Sequence, residues 1–305
     1  MTESKQIKEK QRRWEENDCP WWKWIISVVL TVIASIIPSS IISIISPMLL
    51  MSFSENSGII NLLSTLIPFI FLFWFQILFI KVICKTSVWS FILGRERHND
   101  RKAMWIVAGL FIVGLGITYL ISITNLMVNP EATFKKTVLM ILVSAAIIWM
   151  QTSLEEFWFR GIIGRIFFKN ELKQKISGKT VAYIIVSSAA FAAMHLANPE
   201  VLNVSGVDLI FMVGVYVIPG IMFAITTVQF GSLLPGMIMH AINNFLTCWL
   251  VGPEVSALQT QPILLDVTKE NVGMWSFFIT VVCYIPFIIY MIVRNVRAKK
   301  ASVSD

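Results

Sequence analysis

The stretch Ser153-Leu-Glu-Glu-Phe-Trp-Phe-Arg-Gly161 carries three ionisable side chains, Glu155, Glu156 and Arg160. It lies inside a run that is otherwise apolar from Val138 to Ile163. An ionisable group within a bilayer-length segment is costly unless it faces the interior of the protein, where it usually has a function. The stretch therefore predicts a membrane helix that turns these three side chains inward.

The composition of the chain is that of a membrane protein. Of its 305 residues, 56% are hydrophobic and 14% are charged, and the mean hydropathy is +0.73. A soluble domain has about 25% charged residues. The apolar runs approach the length of a transmembrane helix and lack the short alternating pattern of a membrane β-barrel. We predict an all-α, polytopic membrane protein with about eight transmembrane helices and a buried active site.

The formal net charge of +7 comes from basic residues in the connections that flank the apolar runs. The positive-inside rule produces this distribution, so it favours a lipid bilayer over nucleic acid as the partner. The basic N-terminal segment, the connections 81–102 and 169–179 and the basic tail predict that both termini are cytoplasmic. Short basic loops without an organelle-targeting signal indicate a multi-pass protein of a bacterial plasma membrane.

Eight predicted spans lie at about 24–45, 59–80, 103–126, 137–168, 180–196, 207–230, 233–250 and 274–293. The predicted organisation is a charged cytoplasmic or interfacial segment at 1–20, a transmembrane domain at 21–293 with its catalytic core at about 137–250, and a basic cytoplasmic tail at 294–305. In the third span, Gly109, Gly114 and Gly116 are expected to let a neighbouring helix approach closely.

Helical spacing divides the acidic motif into two parts. Glu156 and Arg160 are four residues apart and share a helix face, so we expect a buried ion pair. Glu155 is rotated from Glu156 by about 100° and is free for chemistry. We interpret Glu156 and Arg160 as supporting residues and Glu155 as catalytic. The alternative that all three only pack the helix stays open at this point.

Two of the three histidines lie in later predicted spans, each with a partner at helical spacing. His195 follows Phe191 by four residues, and Asn244 follows His240 by four. At the rise of an α-helix, Glu155 and His195 lie about 20 Å from the inner, cytoplasmic ends of their spans, and Asn244 lies about 16 Å from the inner end of its own. These similar depths predict that the three motifs meet in one site.

The residues suit the activation of water for amide hydrolysis. Glu155 is the expected general base, and His195 is expected to orient the same water. His240 and Asn244 can donate hydrogen bonds to an oxyanion. A competing interpretation is a zinc ion held by Glu155, His195 and His240 with one position left open. No HExxH motif is present, and we assign no cofactor; metal-free and zinc-dependent chemistry both stay open.

The stretch Glu155–Arg160, the pair Phe191–His195 and the pair His240–Asn244 resemble the three motifs of the CPBP family, also called Abi. This family comprises CAAX-type prenyl-protein endopeptidases and bacteriocin-processing proteins. The similarity extends from about Ser153 to Asn244 and includes Gly231-Ser-Leu-Leu-Pro235 before the third motif. The resemblance implies an intramembrane endopeptidase with an eight-helix fold, of a family described both as metalloproteases and as glutamate-dependent.

The resemblance also implies a role for each motif residue and a class of substrate. Water activation falls to Glu155 and His195, oxyanion stabilisation to His240 and Asn244, and support of the site to Glu156, Arg160 and Phe191. The implied substrate is a hydrophobic peptide or a membrane protein.

Two other classes of protein compete with a protease. One is a non-catalytic bacteriocin-immunity or membrane-sensor-modulating protein with the same fold. The other is a proton-coupled transporter, which explains buried Glu and His residues but does not explain Asn244. We see no internal repeat of the kind that many transporters contain.

Overall fold

The computed structural model describes residues 19–53, 57–94, 101–258, 260, 262–268 and 270–304, so the predicted N-terminal segment lies almost wholly outside the described residues. The fold is all-α with one small sheet, as predicted. Its helices are α1 (Trp21–Phe53), α2 (Ser57–Val82), α3 (Val88–Leu93), α4 (Arg101–Ile121), α5 (Phe134–Glu156), α6 (Ile163–Phe168), α7 (Gly178–Met194), α8 (Pro199–Leu202), α9 (Gly206–Phe230), α10 (Leu234–Trp249) and α11 (Val272–Ser304). Its strands are β1 (Leu126–Val128), β2 (Val251–Pro253) and β3 (Leu264–Asp266).

The acidic motif lies in one continuous helical segment built from three parts. Thr133 caps the start of α5, because its side chain accepts a hydrogen bond from the backbone N–H of Lys136 at 3.4 Å. After α5, the backbone forms a π-helical turn over Phe157–Ile162 and then continues into α6. Such turns within α-helices are frequent at functional sites. Together the three parts form a candidate membrane span of 35 residues, Phe134–Phe168.

Six of the described helical segments are long and apolar enough to cross a membrane. The helices at the predicted fifth and seventh spans are shorter, with 17 residues in α7 and 16 in α10. Helices of this size are about 25 Å long, less than the roughly 30 Å of the hydrocarbon core. The predicted count of eight spans is therefore not confirmed. α7 ends at Met194 shortly before Pro199, a residue that favours the start of a new helix.

The long helices form a bundle around the segment that carries the acidic motif. α2 and α10 pack against α5, while α9 packs against α7 and α11, and α11 packs against α4. A Cβ on Gly114 would lie 1.9 Å from the carbonyl oxygen of Cys283, so α4 and α11 approach closely at this glycine, as expected. A Cβ on Gly109 or Gly116 would meet nothing within 4 Å, so the expectation is wrong at those two positions.

A tight turn sets the direction of α10. α9 ends at Gly231, whose left-handed backbone (φ 65°, ψ 20°) favours glycine. In the next two residues, Ser232 donates from Oγ to the carbonyl oxygen of Ile92 at 3.1 Å, and Leu233 donates its backbone N–H to the same oxygen at 2.8 Å. The start of α10 is thereby tied to the short helix α3.

The three short strands form one sheet from the connection before α5 and the connection after α10. β1 pairs with β3 in antiparallel register, with Leu126 opposite Asp266. β2 pairs with β3 in parallel, with Val251 opposite Leu264. Because β2 begins two residues after Trp249, the sheet also orders the chain that leaves α10.

Candidate active site

The carboxylate of Glu155, in the last turn of α5, faces both histidines. Its Oε2 is 3.5 Å from Nε2 of His240 and 3.9 Å from Nε2 of His195. The side chain of Glu155 is 12% exposed, and Oε2 itself is buried with no hydrogen-bond partner among the described residues. Two of the other three side chains predicted to be catalytic therefore lie within 4 Å of one buried oxygen atom of Glu155.

The other ring nitrogen of each histidine is occupied by an acceptor. His195 Nδ1 lies 2.7 Å from the carbonyl oxygen of Phe191, and His240 Nδ1 lies 3.0 Å from Oε1 of Glu156. A carbonyl oxygen and an ionised carboxylate can only accept, so Nδ1 carries the proton in both rings. In a neutral ring, Nε2 then presents a lone pair. In both rings, Nε2 is the nitrogen that faces Glu155 Oε2.

Glu156 and Arg160 form the ion pair expected from their spacing. Arg160 Nη1 lies 3.0 Å from Glu156 Oε1, and both side chains are fully buried. Arg160 also donates from Nη2 to the carbonyl oxygen of Gly220 at 3.3 Å, and its guanidinium lies 5.1 Å from the ring centre of Phe223. Because His240 donates to the same Oε1, Glu156 links the arginine to one of the two histidines.

Asn244 reaches Glu155 through a residue that the sequence analysis missed, Gln151. Asn244 donates from Nδ2 to Oε1 of Gln151 at 3.1 Å, and Gln151 donates from Nε2 to Oε1 of Glu155. Asn243 in turn donates to Oδ1 of Asn244 at 3.2 Å. Gln151 lies one helical turn before Glu155 in an apolar run, and this polar residue at the spacing of one turn is the signal that could have identified it.

Phe191 contacts several groups of the site at once. Its ring centre lies 4.5 Å from the imidazole of His195 and 5.7 Å from that of His240. The guanidinium of Arg160 lies 4.3 Å from the same ring, in cation–π geometry. Phe191 therefore shields the buried cation and contacts both histidine rings.

The zinc alternative requires a compact set of ligands. Within the described ranges, no group of three or more His, Cys, Asp and Glu side chains is arranged to hold a metal ion. The positions of Glu155, His195 and His240 therefore do not fit the ligand set of a zinc ion.

The fold and the site together define a class: a multi-pass helical membrane protein with a buried carboxylate and two histidines on three different helices. Residues 135–246 match the family model described as type II CAAX prenyl endopeptidase Rce1-like. The matched segment runs from the start of α5 into α10 and contains all the motif residues. This match agrees with the resemblance to the CPBP family of CAAX-type proteases that the three motifs indicate, so the predicted resemblance is confirmed for this segment.

A protein of Bacillus subtilis (strain 168), named uncharacterized protein YyaK, is similar over a longer segment. The two chains are 23% identical over 217 residues, which cover 68% of this chain and 67% of YyaK. The name of YyaK states no activity. No solved structure gives a significant match. The match of residues 135–246 supports a relation to CAAX-type proteases at the level of the family.

Proposed function

We propose that the protein is an intramembrane endopeptidase that hydrolyses peptide bonds in hydrophobic or membrane-associated peptides, using water activated by Glu155. The supporting observation is the buried Oε2 of Glu155, which faces Nε2 of His195 and Nε2 of His240. A water molecule between these atoms can donate hydrogen bonds to the carboxylate and to the Nε2 lone pair of His195.

In the proposed reaction, Glu155 removes a proton from this water as the water oxygen attacks the carbonyl carbon of the substrate. The C=O electron pair moves to the carbonyl oxygen, which becomes the oxyanion of a tetrahedral intermediate. When the intermediate collapses, the C–N bond breaks and Glu155 returns its proton to the leaving nitrogen. His195 accepts a hydrogen bond from the water and fixes its direction.

His240 and Asn244 are the proposed donors to the oxyanion. Because Nδ1–H of His240 is used by Glu156, His240 can donate from Nε2 only as an imidazolium ion. The carboxylate of Glu156 stabilises this cation. Asn244 uses one Nδ2 hydrogen for Gln151 and has a second one for the oxyanion. Glu156, Arg160 and Phe191 would then support the donors without contacting the substrate.

Replacing Glu155 tests the proposal most directly. We expect Glu155→Gln to lower the cleavage rate by about 10²–10⁴-fold, the contribution typical of a general base. Comparative peptidomics of cells with the wild-type chain and the variant should show accumulation of uncleaved hydrophobic peptides with the variant. The matched control is Glu254→Gln, because Glu254 is exposed. Unchanged processing at normal expression would instead favour the non-catalytic immunity or sensor-modulating role.

We also propose that both termini lie in the cytoplasm and that the membrane is a bacterial plasma membrane. The support is the basic charge of the connections 81–102 and 169–179 and of the tail. In a cysteine-free chain, an impermeant maleimide should label Leu202→Cys on intact cells and Lys175→Cys only after the cytoplasmic side is opened. Both side chains are exposed. The reverse pattern would contradict this orientation.

A further inference from the structure

A second polar cluster lies beside His195 and outside the groups of the proposed reaction. The Tyr216 hydroxyl donates to Glu200 Oε1, and Asn198 donates from Nδ2 to the Tyr216 hydroxyl oxygen at 3.0 Å and to Glu200 Oε1 at 3.3 Å. Glu200 Oε2 accepts the backbone N–H of Ala257 at 2.8 Å. The carboxylate of Glu200 therefore joins three segments: α8, the middle of α9 and the chain between β2 and β3.

His195 needs support from outside its own helix. α7 ends at Met194, and His195 is the capping residue that follows. The hydrogen bond from its Nδ1 to the carbonyl oxygen of Phe191 holds one atom of the ring. From its own helix the ring has this hydrogen bond and a contact with the ring of Phe191, whose centre is 4.5 Å away, and a rotation of the imidazole would move Nε2 away from Glu155.

The ring of Tyr216 restricts this rotation. It stacks on the imidazole of His195, with ring centres 4.4 Å apart and planes inclined by 23°. Tyr216 lies in α9, and its hydroxyl is held by Glu200, so the ring has a fixed position at both ends. The aromatic contact and the distant anchor together determine where the imidazole plane lies.

We propose that Tyr216 is a positioning residue for His195 and that Glu200 is its anchor. The proposal rests on the proposed hydrolytic function, in which Nε2 of His195 orients the attacking water. Tyr216 contacts the imidazole and does not contact the reacting atoms. Its removal should therefore lower kcat while leaving KM nearly unchanged.

The first readout is kinetic and uses a prenylated CAAX peptide with a fluorophore and a quencher. Tyr216→Leu should lower kcat by about two- to tenfold, in line with the usual strength of an aromatic pair. Tyr216→Phe keeps the stacked ring and should lower kcat less. The matched control is Phe211→Leu, because Phe211 lies on the same helix but packs against Phe277 at 5.4 Å. A fall in kcat no larger than in this control would overturn the proposal.

The second readout does not require peptidase activity. In the full-length protein labelled with ¹³C-histidine in detergent, the stacked ring should shift the His195 signal upfield. Tyr216→Leu should remove this shift while the His240 signal stays in place. If Tyr216→Leu does not fold, Tyr216→Phe and Glu200→Ala replace it in the experiment. Each should displace the His195 signal, by less than the displacement expected for Tyr216→Leu. A His195 signal unchanged in every folded variant would overturn the proposal.

The two readouts separate this proposal from the proposed function. If the wild-type protein cleaves no peptide but Tyr216→Leu displaces the His195 signal, the positioning contact stands and the hydrolytic function fails. If the wild-type protein is active and Tyr216→Leu changes neither kcat nor the signal, the hydrolytic function stands and the positioning role fails.

Discussion

The helix that carries the two glutamates continues through the site, whereas the helix that carries His195 ends beside it. Glu156 and Arg160 lie on consecutive turns of one helical segment and are fully buried. His195 follows the last residue of α7, and its side chain is 16% exposed. Local helix geometry therefore accounts for the first pair, while His195 combines a hydrogen bond to Phe191 of its own helix with a stacking contact to Tyr216 of α9.

The largest expected effect on stability comes from breaking the buried pair. Arg160→Met leaves the carboxylate of Glu156 buried, with His240 as its one remaining hydrogen-bond partner among the described residues. We expect the free energy of unfolding to fall by about 3–5 kcal/mol, as for other buried pairs that lose one member. Chemical unfolding in detergent measures this. The control is Arg297→Met, at an exposed position of α11, and an equal loss in both variants would contradict the structural role of Arg160.

The corresponding change at His195 should affect activity far more than stability. His195→Leu removes the proposed acceptor for the water, and we expect kcat to fall by about 10²-fold or more. The loss of stability should be near 1 kcal/mol, because the side chain is partly exposed and lies at the end of a helix. Both values can be measured on the same preparation. A loss of stability as large as that of Arg160→Met would remove the contrast between the two regions.

A smaller effect is expected at Gln151, which connects the two regions. Gln151→Met removes the hydrogen bonds to Glu155 and Asn244, each contributing about 1 kcal/mol, and should lower kcat by about tenfold or more. Gln76 is a matched control: it is also buried and bonds to Ser27 and Trp158, away from the proposed reaction. Gln76→Met should lower the free energy of unfolding but leave kcat unchanged. If Gln151→Met and Gln76→Met have the same kcat, the role of Gln151 is contradicted.

The sequence predicts those features that depend on local helix geometry. The Glu156–Arg160 pair follows from a spacing of four residues, and it survives the π-helical turn that begins at Phe157. The helix bounds are also local: the predicted span at 207–230 is observed as Gly206–Phe230. Hydrophobic run length and turn residues are sufficient for such predictions.

The remaining features depend on how distant segments cross. The hydrogen bond between Gln151 and Asn244 joins residues 93 positions apart, and it requires the observed packing of α5 against α10. The contact between His195 and Tyr216 likewise depends on α7 and α9. Gly109 and Gly116 also show that the sequence does not predict which segments come into contact. A glycine permits the close approach of another helix but does not determine which helix comes near.

The short α7 and α10 bring hydrophobic mismatch to the site itself. A helix of 17 or 16 residues is shorter than the hydrocarbon core of a bilayer of ordinary thickness. Either the bilayer becomes thinner around the helix, or water reaches the carbonyl groups at the C-terminal end of the helix. Either response would bring water toward His195 and toward the end of α10, as the proposed hydrolysis requires. For the proposed hydrolase, the acyl-chain length of the surrounding lipid is then expected to influence turnover.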